Sequence, residues 1–98
     1  MAVIERTVPI VNPLGLHARP AAEFVKVAGR FQSAVVVKRD GPSPDGSRPM
    51  EVNGKSIMGM MMLAAECGSS LHLAADGGDA VPLLDALEAL IRAGFGEM

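Results

Sequence analysis

The sequence offers little support for several specialised classes of protein. It contains one cysteine, Cys67, so a disulfide within the chain is excluded. Nine basic and eleven acidic residues are mixed along 98 positions, and the formal net charge is -2. This mixture provides no broad positive field, so we expect neither nucleic acid nor an anionic membrane surface as a partner.

Long apolar runs are also missing. The longest, from Met58 to Ala65, contains Gly59 and is far shorter than the roughly 20 residues that a spanning helix needs. Near the N-terminus, Glu5 and Arg6 interrupt any apolar signal core. We therefore expect a cytoplasmic protein with no membrane insertion. A hydrophobic content of 49% predicts a single domain over residues 1–98 with one modest core.

The first half of the chain predicts a strand, a helix and a second strand. Residues 3–11 alternate as a strand with Ile4, Val8 and Ile10 on one face, although Arg6 shares that face. Pro9 lacks an N–H and therefore predicts an edge position. A core-facing helix is predicted from Ala18 to about Arg30 by the apolar positions Ala21, Phe24, Val25 and Ala28. A buried strand follows over residues 33–39.

Turn-forming residues then interrupt the pattern. Residues 40–49 contain three prolines and two glycines and predict a mobile loop, followed by a short strand over 50–53. Ser56 is a candidate N-cap for a helix through about Glu66, and residues 70–76 alternate as a strand. Asp79 would cap a last helix that ends at Gly94, with an apolar stripe formed by Val81, Leu84, Leu87 and Ile91. The order βαββαβα predicts an α/β two-layer sandwich with helices over one sheet face.

His17 stands where the first helix should begin. As N-cap it would leave Ala18, Arg19 and Pro20 as the first helical positions, whose N–H groups have no intrahelical acceptor. These donors and the helix dipole favour an anion such as phosphate and disfavour a protonated imidazole, which leaves a nucleophilic ring. Arg19 could pair with phosphate oxygens, and Gly15 allows a partner to approach closely. Taken alone, however, a histidine at a helix start is more often a polar cap or a solvated surface residue.

Two longer motifs change that assessment. The segments "GLHARPAAEFVKVA" at 15–28 and "VNGKSIMGMMMLAAECGSSL" at 52–71 resemble the histidine phosphocarrier protein HPr of the bacterial phosphoenolpyruvate:sugar phosphotransferase system. The resemblance extends over nearly the whole chain. It implies an open-faced β-sandwich of four antiparallel strands with three helices on one side, in agreement with the predicted order of elements.

The resemblance also implies a chemistry. His17 would accept a phosphoryl group on Nδ1 from the phosphohistidine of enzyme I and pass it to an enzyme II-A domain or a regulatory protein. Arg19 and the helix start at Ala18 would stabilise the phosphate. Such a chain is a phosphoryl-transfer component, not a stand-alone catalyst, and we expect a monomer with no metal or organic cofactor. Alignment and charge stabilisation, which dominate phosphoryl transfer, are within the reach of a small carrier.

The family pattern assigns further residues to partner binding and regulation. The predicted contacts are Leu16, Ala22, Lys26, Ile57, Met58 and Met61, although a run such as "MGMMMLAA" more often fills a core. Ser56 matches the serine that a dedicated HPr serine kinase/phosphorylase modifies in many relatives, but an N-cap role alone is an equal alternative. Phosphate at Ser56 would place charge in the apolar contact patch and slow transfer from enzyme I.

The other reactive side chains have weaker claims. We expect His72 to be a surface residue and Cys67 to be a small, partly buried apolar residue. His17, His72 and Cys67 lack compact metal-ligand spacing, and nothing in the sequence supports a Cys–His hydrolase. The loop at 40–49 is longer than the tight turn usual in the family. A regulatory binding module of the same fold, acting on a kinase or transcription factor, remains the alternative to a phosphoryl carrier.

Overall fold

The computed structural model describes residues 3–40, 50–63 and 65–97, and it contains the predicted order of elements. The strands are β1 (Val3–Pro9), β2 (Ala34–Arg39), β3 (Glu51–Asn53) and β4 (Ser70–Asp76). The helices are α1 (Ala18–Ala28), α2 (Ile57–Met62) and α3 (Ala80–Arg92), and a 3-10 turn follows at Gly94–Gly96. The predicted loop lies outside the described residues except for Asp40.

The four strands form one antiparallel sheet in the order β1-β4-β2-β3. The edge position predicted for β1 from Pro9 is confirmed, because β1 pairs with β4 only. Side chains on β4 alternate strictly between buried and half-buried, so one face of the sheet is covered and the other is open to solvent. The open-faced sandwich is therefore confirmed.

The covered face and the helices share one hydrophobic core. Its largest fully buried side chains come from every helix, from three strands and from Ile10 just after β1: Val8, Ile10, Phe24, Val35, Val37, Met60, Leu71, Leu73, Leu83, Leu84, Leu87 and Ile91. Arg6 is the polar residue on the covered face of β1, and its charge is paired with two carboxylates of α3. Its Nη1 lies 2.6 Å from Asp85 Oδ1 and 3.2 Å from Glu88 Oε1. The hydrogen bond to Asp85 is the main cause that raises the pKa of the Arg6 guanidinium.

Two helix predictions need correction. Val81 is 45% exposed and does not join the apolar stripe of α3, because Ala80, one turn before Leu84, takes the core position. Helix α2 ends at Met62, not near Glu66. It ends early because the backbone beyond it bonds to another segment: the carbonyl of Ala65 accepts the N–H of Leu16 at 2.8 Å.

The side chain of Asp79 has a different role from the one predicted. Asp79 precedes α3 but makes no side-chain bond to the amides of that helix. Its carboxylate instead accepts the backbone N–H groups of Gln32 at 2.9 Å and Ser33 at 2.8 Å, and also the Ser33 hydroxyl. These bonds, that of the Ser33 hydroxyl foremost, lower the pKa of Asp79. Asp79 thus ties the entry to β2 to the entry to α3.

Two further expectations concern exposure and length. Cys67 is exposed, contrary to the prediction of a partly buried apolar residue, because it lies on the turn between α2 and β4. Within the described ranges, no helix is both long enough and apolar enough to cross a membrane.

Candidate functional site

His17 occupies the N-cap of α1, as predicted. Its backbone is extended (φ -80°, ψ -172°), and its carbonyl accepts the first helical bond from the Ala21 N–H at 3.0 Å. Within residues 3–40, 50–63 and 65–97, the N–H groups of Ala18 and Arg19 have no acceptor, and Pro20 has no N–H to satisfy. The helix start next to the imidazole therefore presents two free donors and the positive end of the dipole.

The loop that carries His17 is fixed against the segment before β4. The Leu16 N–H bonds to Ala65, and the Gly68 N–H donates to the Ile10 carbonyl at 3.0 Å. Gly15 has a φ of +66°, and a Cβ built there would lie 2.5 Å from the carbonyl oxygen of Ala65. Only glycine fits this close approach, so Gly15 allows the loop that carries His17 to pack directly against the backbone of Ala65.

The His17 ring meets a carboxylate from the end of the chain. Nε2 lies 2.7 Å from Glu97 Oε2, and the two side chains are 37% and 18% exposed. The other ring nitrogen, Nδ1, has no hydrogen bond to any residue in the described ranges. One edge of the imidazole is thus held by protein, and the opposite edge is available to a reacting group.

Glu97 is itself held by a buried amide. Asn12 is fully buried, and its Nδ2 donates to Glu97 Oε1 at 2.9 Å and to the Gly15 carbonyl at 2.7 Å. The turn that delivers Glu97 contains Phe95, which is buried and has a φ of 56°, a conformation that is costly for an aromatic residue. Sequence reasoning missed both Asn12 and Glu97, because they lie 85 residues apart and no local pattern connects them.

Arg19 lies on the exposed surface beside this cluster. It has no hydrogen bond or ion pair among the described residues. It lines a cavity of about 570 Å³ together with Pro13, Leu14, Glu23, Phe95, Gly96 and Glu97. Its planar fork is therefore free to bind an incoming anion.

The predicted contact residues divide into exposed and buried groups. Ile57, Met58 and Met61 are 45%, 70% and 43% exposed, which confirms the predicted exposure of the two methionines, while Met60 is fully buried. Met62, which was not predicted, is 60% exposed. We call Ile57, Met58, Met61 and Met62 the α2 patch.

The remaining predicted contacts lie on or before α1. Ala22 and Lys26 are exposed on α1, which packs against α2. Leu16, in contrast, is only 4% exposed and belongs to the core, so its side chain is not presented to a partner. The presence of a leucine next to His17 in the motif is therefore explained by packing in the core beneath the loop that carries His17.

Ser56 is the N-cap of α2, as predicted. Its backbone is extended, and its Oγ accepts the Gly59 N–H at 3.1 Å. The side chain is half-buried and stands directly before the exposed Ile57 and Met58 of the α2 patch. This hydrogen bond accounts for a structural role of Ser56, and its phosphorylation stays a prediction.

Comparison with known proteins supplies the remaining observation. Residues 4–93 match the family model described as the PTS HPr component phosphorylation site. The chain belongs to the HPr family. HPr proteins are the phosphocarriers of the phosphotransferase system, so the general role that the two motifs imply is established for the family of this chain.

Individual HPr relatives cover nearly the full chain. The phosphocarrier protein HPr of Pseudomonas putida is 49% identical, over 94% of each sequence. The HPr-like protein Crh of Halalkalibacterium halodurans is 40% identical, over 92% of this chain and 98% of the relative. The crystal structure of HPr-C-His from Thermoanaerobacter tengcongensis superposes with a TM-score of 0.81 and 42% identity, over 97% of this chain and 98% of that chain.

The second histidine of the chain, His72, lies on the open face of the sheet. His72 Nε2 lies 2.7 Å from Glu5 Oε1, and Nδ1 lies 3.1 Å from the Thr7 hydroxyl. Its partly exposed position agrees with the prediction of a surface residue. No group of three or more metal-ligating side chains occurs within the described ranges.

Proposed function

We propose that His17 accepts a phosphoryl group on Nδ1 from phospho-enzyme I and passes it to enzyme II-A domains during sugar uptake. The observation that carries this assignment is an imidazole with one nitrogen, beside two helix amides, that like them has no partner in the described part of the chain. In this role the protein is a component of a relay and not a stand-alone catalyst.

The positive charge around His17 would stabilise a phosphoryl group that is bound there temporarily. The N–H groups of Ala18 and Arg19 would donate to phosphate oxygens, and the helix dipole would stabilise their negative charge. The guanidinium of Arg19 would add a planar, permanently charged pair of donors. These interactions are weak enough to be reversed, so the phosphoryl group could also leave His17. The partner proteins would supply the remaining groups that align the phosphoryl group for transfer.

Docking of both partners would use the α2 patch with Ala22 and Lys26. Exposed methionines suit a carrier that binds several partners, because their flexible, polarizable side chains adapt to different surfaces. Met58→Lys should raise the KM for enzyme I with a smaller change in kcat. Val81→Lys is the control, since Val81 is also an exposed apolar residue but lies on α3, outside the α2 patch. Equal KM values for the two variants would contradict docking at the α2 patch.

The carrier role is tested by incubating the protein with enzyme I and phosphoenolpyruvate and measuring its intact mass. One added phosphoryl group that is released in acid is the expected result. The same enzyme I must phosphorylate a known HPr in a parallel reaction. No gain in mass under those conditions would overturn the carrier proposal.

That negative outcome would favour a regulatory binding module that acts on a kinase or transcription factor without sugar transport. The similarity to an HPr-like protein, Crh, is the observation in its favour. The presence of both His17 and Arg19 favours the carrier. Pull-down of a defined partner by the unphosphorylated protein, unchanged in His17→Ala, would be the signature of the module.

We propose that Ser56 is a regulatory phosphorylation site for an HPr serine kinase. A phosphate there would remain acceptable to the amides at the start of α2, yet it would place about 1.5 to 2 negative charges beside Ile57 and Met58. Ser56→Asp should therefore slow phosphorylation of His17 by enzyme I. Ser56→Asn is the matched control, because it preserves an N-cap without the charge. Equal rates for the Asp and Asn variants would refute the regulatory effect.

The assembly state and location belong to the same proposal. We infer a monomeric, cytoplasmic phosphocarrier domain that spans residues 1–98, because a reversible relay needs His17 and the α2 patch to be accessible together. Sedimentation at micromolar concentration should give the mass of one chain. A dimer that buries either surface would contradict this proposal.

A further inference from the structure

We propose that Glu97 is a positioning residue for His17: it fixes the ring tautomer and balances the charge that forms on the ring during phosphoryl transfer. This inference rests on the proposed function, because it assigns a role in that reaction. The observation behind it is the 2.7 Å contact of His17 Nε2 with Glu97 Oε2 at a half-buried position.

The contact selects one form of the neutral imidazole. A carboxylate can only accept, so the hydrogen bond requires the ring proton to be on Nε2. The lone pair is then on Nδ1, which faces no described protein partner. Glu97 thereby decides which nitrogen is nucleophilic, as a carboxylate behind an imidazole does in other sites.

The same contact provides charge balance. When the Nδ1 lone pair attacks phosphorus, a new N–P bond forms and the N–P bond of the donor phosphohistidine breaks. The electron pair of the broken bond returns to the donor ring. The proton on Nε2 stays in place, so the His17 ring becomes positively charged next to the Glu97 carboxylate. Since the Glu97 side chain is only 18% exposed, water screens this attraction weakly.

Several residues hold the Glu97 side chain next to the His17 ring. Asn12 is buried and divides its two donors between Glu97 Oε1 and the Gly15 carbonyl, which joins the chain end to the His17 loop. Phe95 is buried with a positive φ and anchors the turn before Glu97. Backbone strain of this kind persists where the surrounding structure enforces it, and it is found most often at functional sites.

The test compares Glu97→Gln with Glu23→Gln. Glu23 also lines the cavity beside Arg19 but has no hydrogen bond or ion pair to His17, so its replacement removes the same charge without the bond to the ring. Nitrogen-15 NMR of the unphosphorylated proteins should show the Nε2–H tautomer of His17 in the wild type and in Glu23→Gln. In Glu97→Gln, where the amide can donate or accept, both tautomers should be populated.

Kinetics with enzyme I provide the second measurement. Glu97→Gln should lower the kcat for His17 phosphorylation by about tenfold, within the range seen when a partner that orients a histidine is removed. The KM should change little, because Glu97 is outside the α2 patch. Glu97→Asp, which retains the charge on a shorter side chain, should recover part of the rate.

The proposal is overturned if Glu97→Gln leaves both the tautomer and kcat unchanged. It is also overturned if KM alone changes, since Glu97 would then be a docking residue. These outcomes are distinct from failure of the carrier role, in which the wild-type protein itself would gain no phosphoryl group although its NMR tautomer remained measurable.

Discussion

Both histidines of this protein are paired with a glutamate, but the second ring nitrogen has a different environment in each. Each has its Nε2 2.7 Å from a glutamate oxygen, Glu97 for His17 and Glu5 for His72. In His72, the second nitrogen also has a partner, the Thr7 hydroxyl on the neighbouring strand. In His17, the second nitrogen has no partner among the residues that the structure describes, and it stands at a helix start whose first amides are likewise unpaired within them. A carboxylate partner alone therefore does not distinguish a reactive histidine from a structural one.

The largest effect should come from exchanging the His17 ring for a neutral amide, whereas the same exchange at His72 should leave phosphorylation unchanged. His17→Gln should abolish phosphorylation by enzyme I, because no other side chain at the helix start offers a comparable nucleophile. His72→Gln should be phosphorylated like the wild type. Intact mass after incubation with phosphoenolpyruvate measures both. Phosphate retained in His17→Gln and lost in His72→Gln would reverse the assignment.

A smaller effect should follow from removing Arg19, the cation near the His17 ring. Arg19→Ala should lower the kcat for phosphoryl transfer by about 100-fold, the scale on which a donor to a developing negative charge contributes. Arg19→Lys should recover the activity only in part, since a lysine lacks the planar fork. Lys38, the cross-strand neighbour of His72, is the control, and Lys38→Ala should leave the rate unchanged. Similar losses in both alanine variants would indicate a general charge effect.

The smallest effect on transfer should come from a carboxylate that contacts no histidine. Hydrogen bonds lower the pKa of Asp79, so its contribution to folding is present above the ordinary value of 3.8 and is lost as pH falls through the lower folded value. Asp79→Asn should be less stable than the wild type near neutral pH, with the difference shrinking in acid below that ordinary value. Urea unfolding at several pH values measures this.

Phosphorylation of Asp79→Asn by enzyme I should match the wild type at temperatures where both are folded. Asp40→Asn serves as the control for charge, because the Asp40 side chain makes no hydrogen bond within the described ranges. A stability difference for Asp79→Asn that stays constant with pH would contradict the role given to the ionised carboxylate.

Local patterns in the sequence were sufficient for much of this architecture. The alternation in residues 70–76 and the helical spacing of Ala21, Phe24 and Ala28 depend on which face of one element is buried, and both predictions were confirmed. Pro9 likewise indicated an edge strand from the chemistry of one residue. Such features are local, so a single sequence contains them.

The features that were missed depend on contacts between distant segments. Helix α2 ends early because Ala65 bonds to Leu16, and the Leu16 side chain is buried because it packs in the core. The link from Asn12 to Glu97 joins opposite ends of the chain. Periodicity also could not decide between Ala80 and Val81 for the core, since both precede Leu84 by about one helical turn. The motif located His17 and Arg19, whereas the ring's partner became visible only in the folded chain.

The exposed thiol of Cys67 has a practical consequence. It is the chain's only cysteine, and its Sγ lies 3.8 Å from the carbonyl of Val11, in the loop that leads to His17. A maleimide fluorophore would therefore attach at one defined position without removal of any other cysteine. A change in dye emission at that position would then measure, in real time, the binding of another protein near the His17 loop.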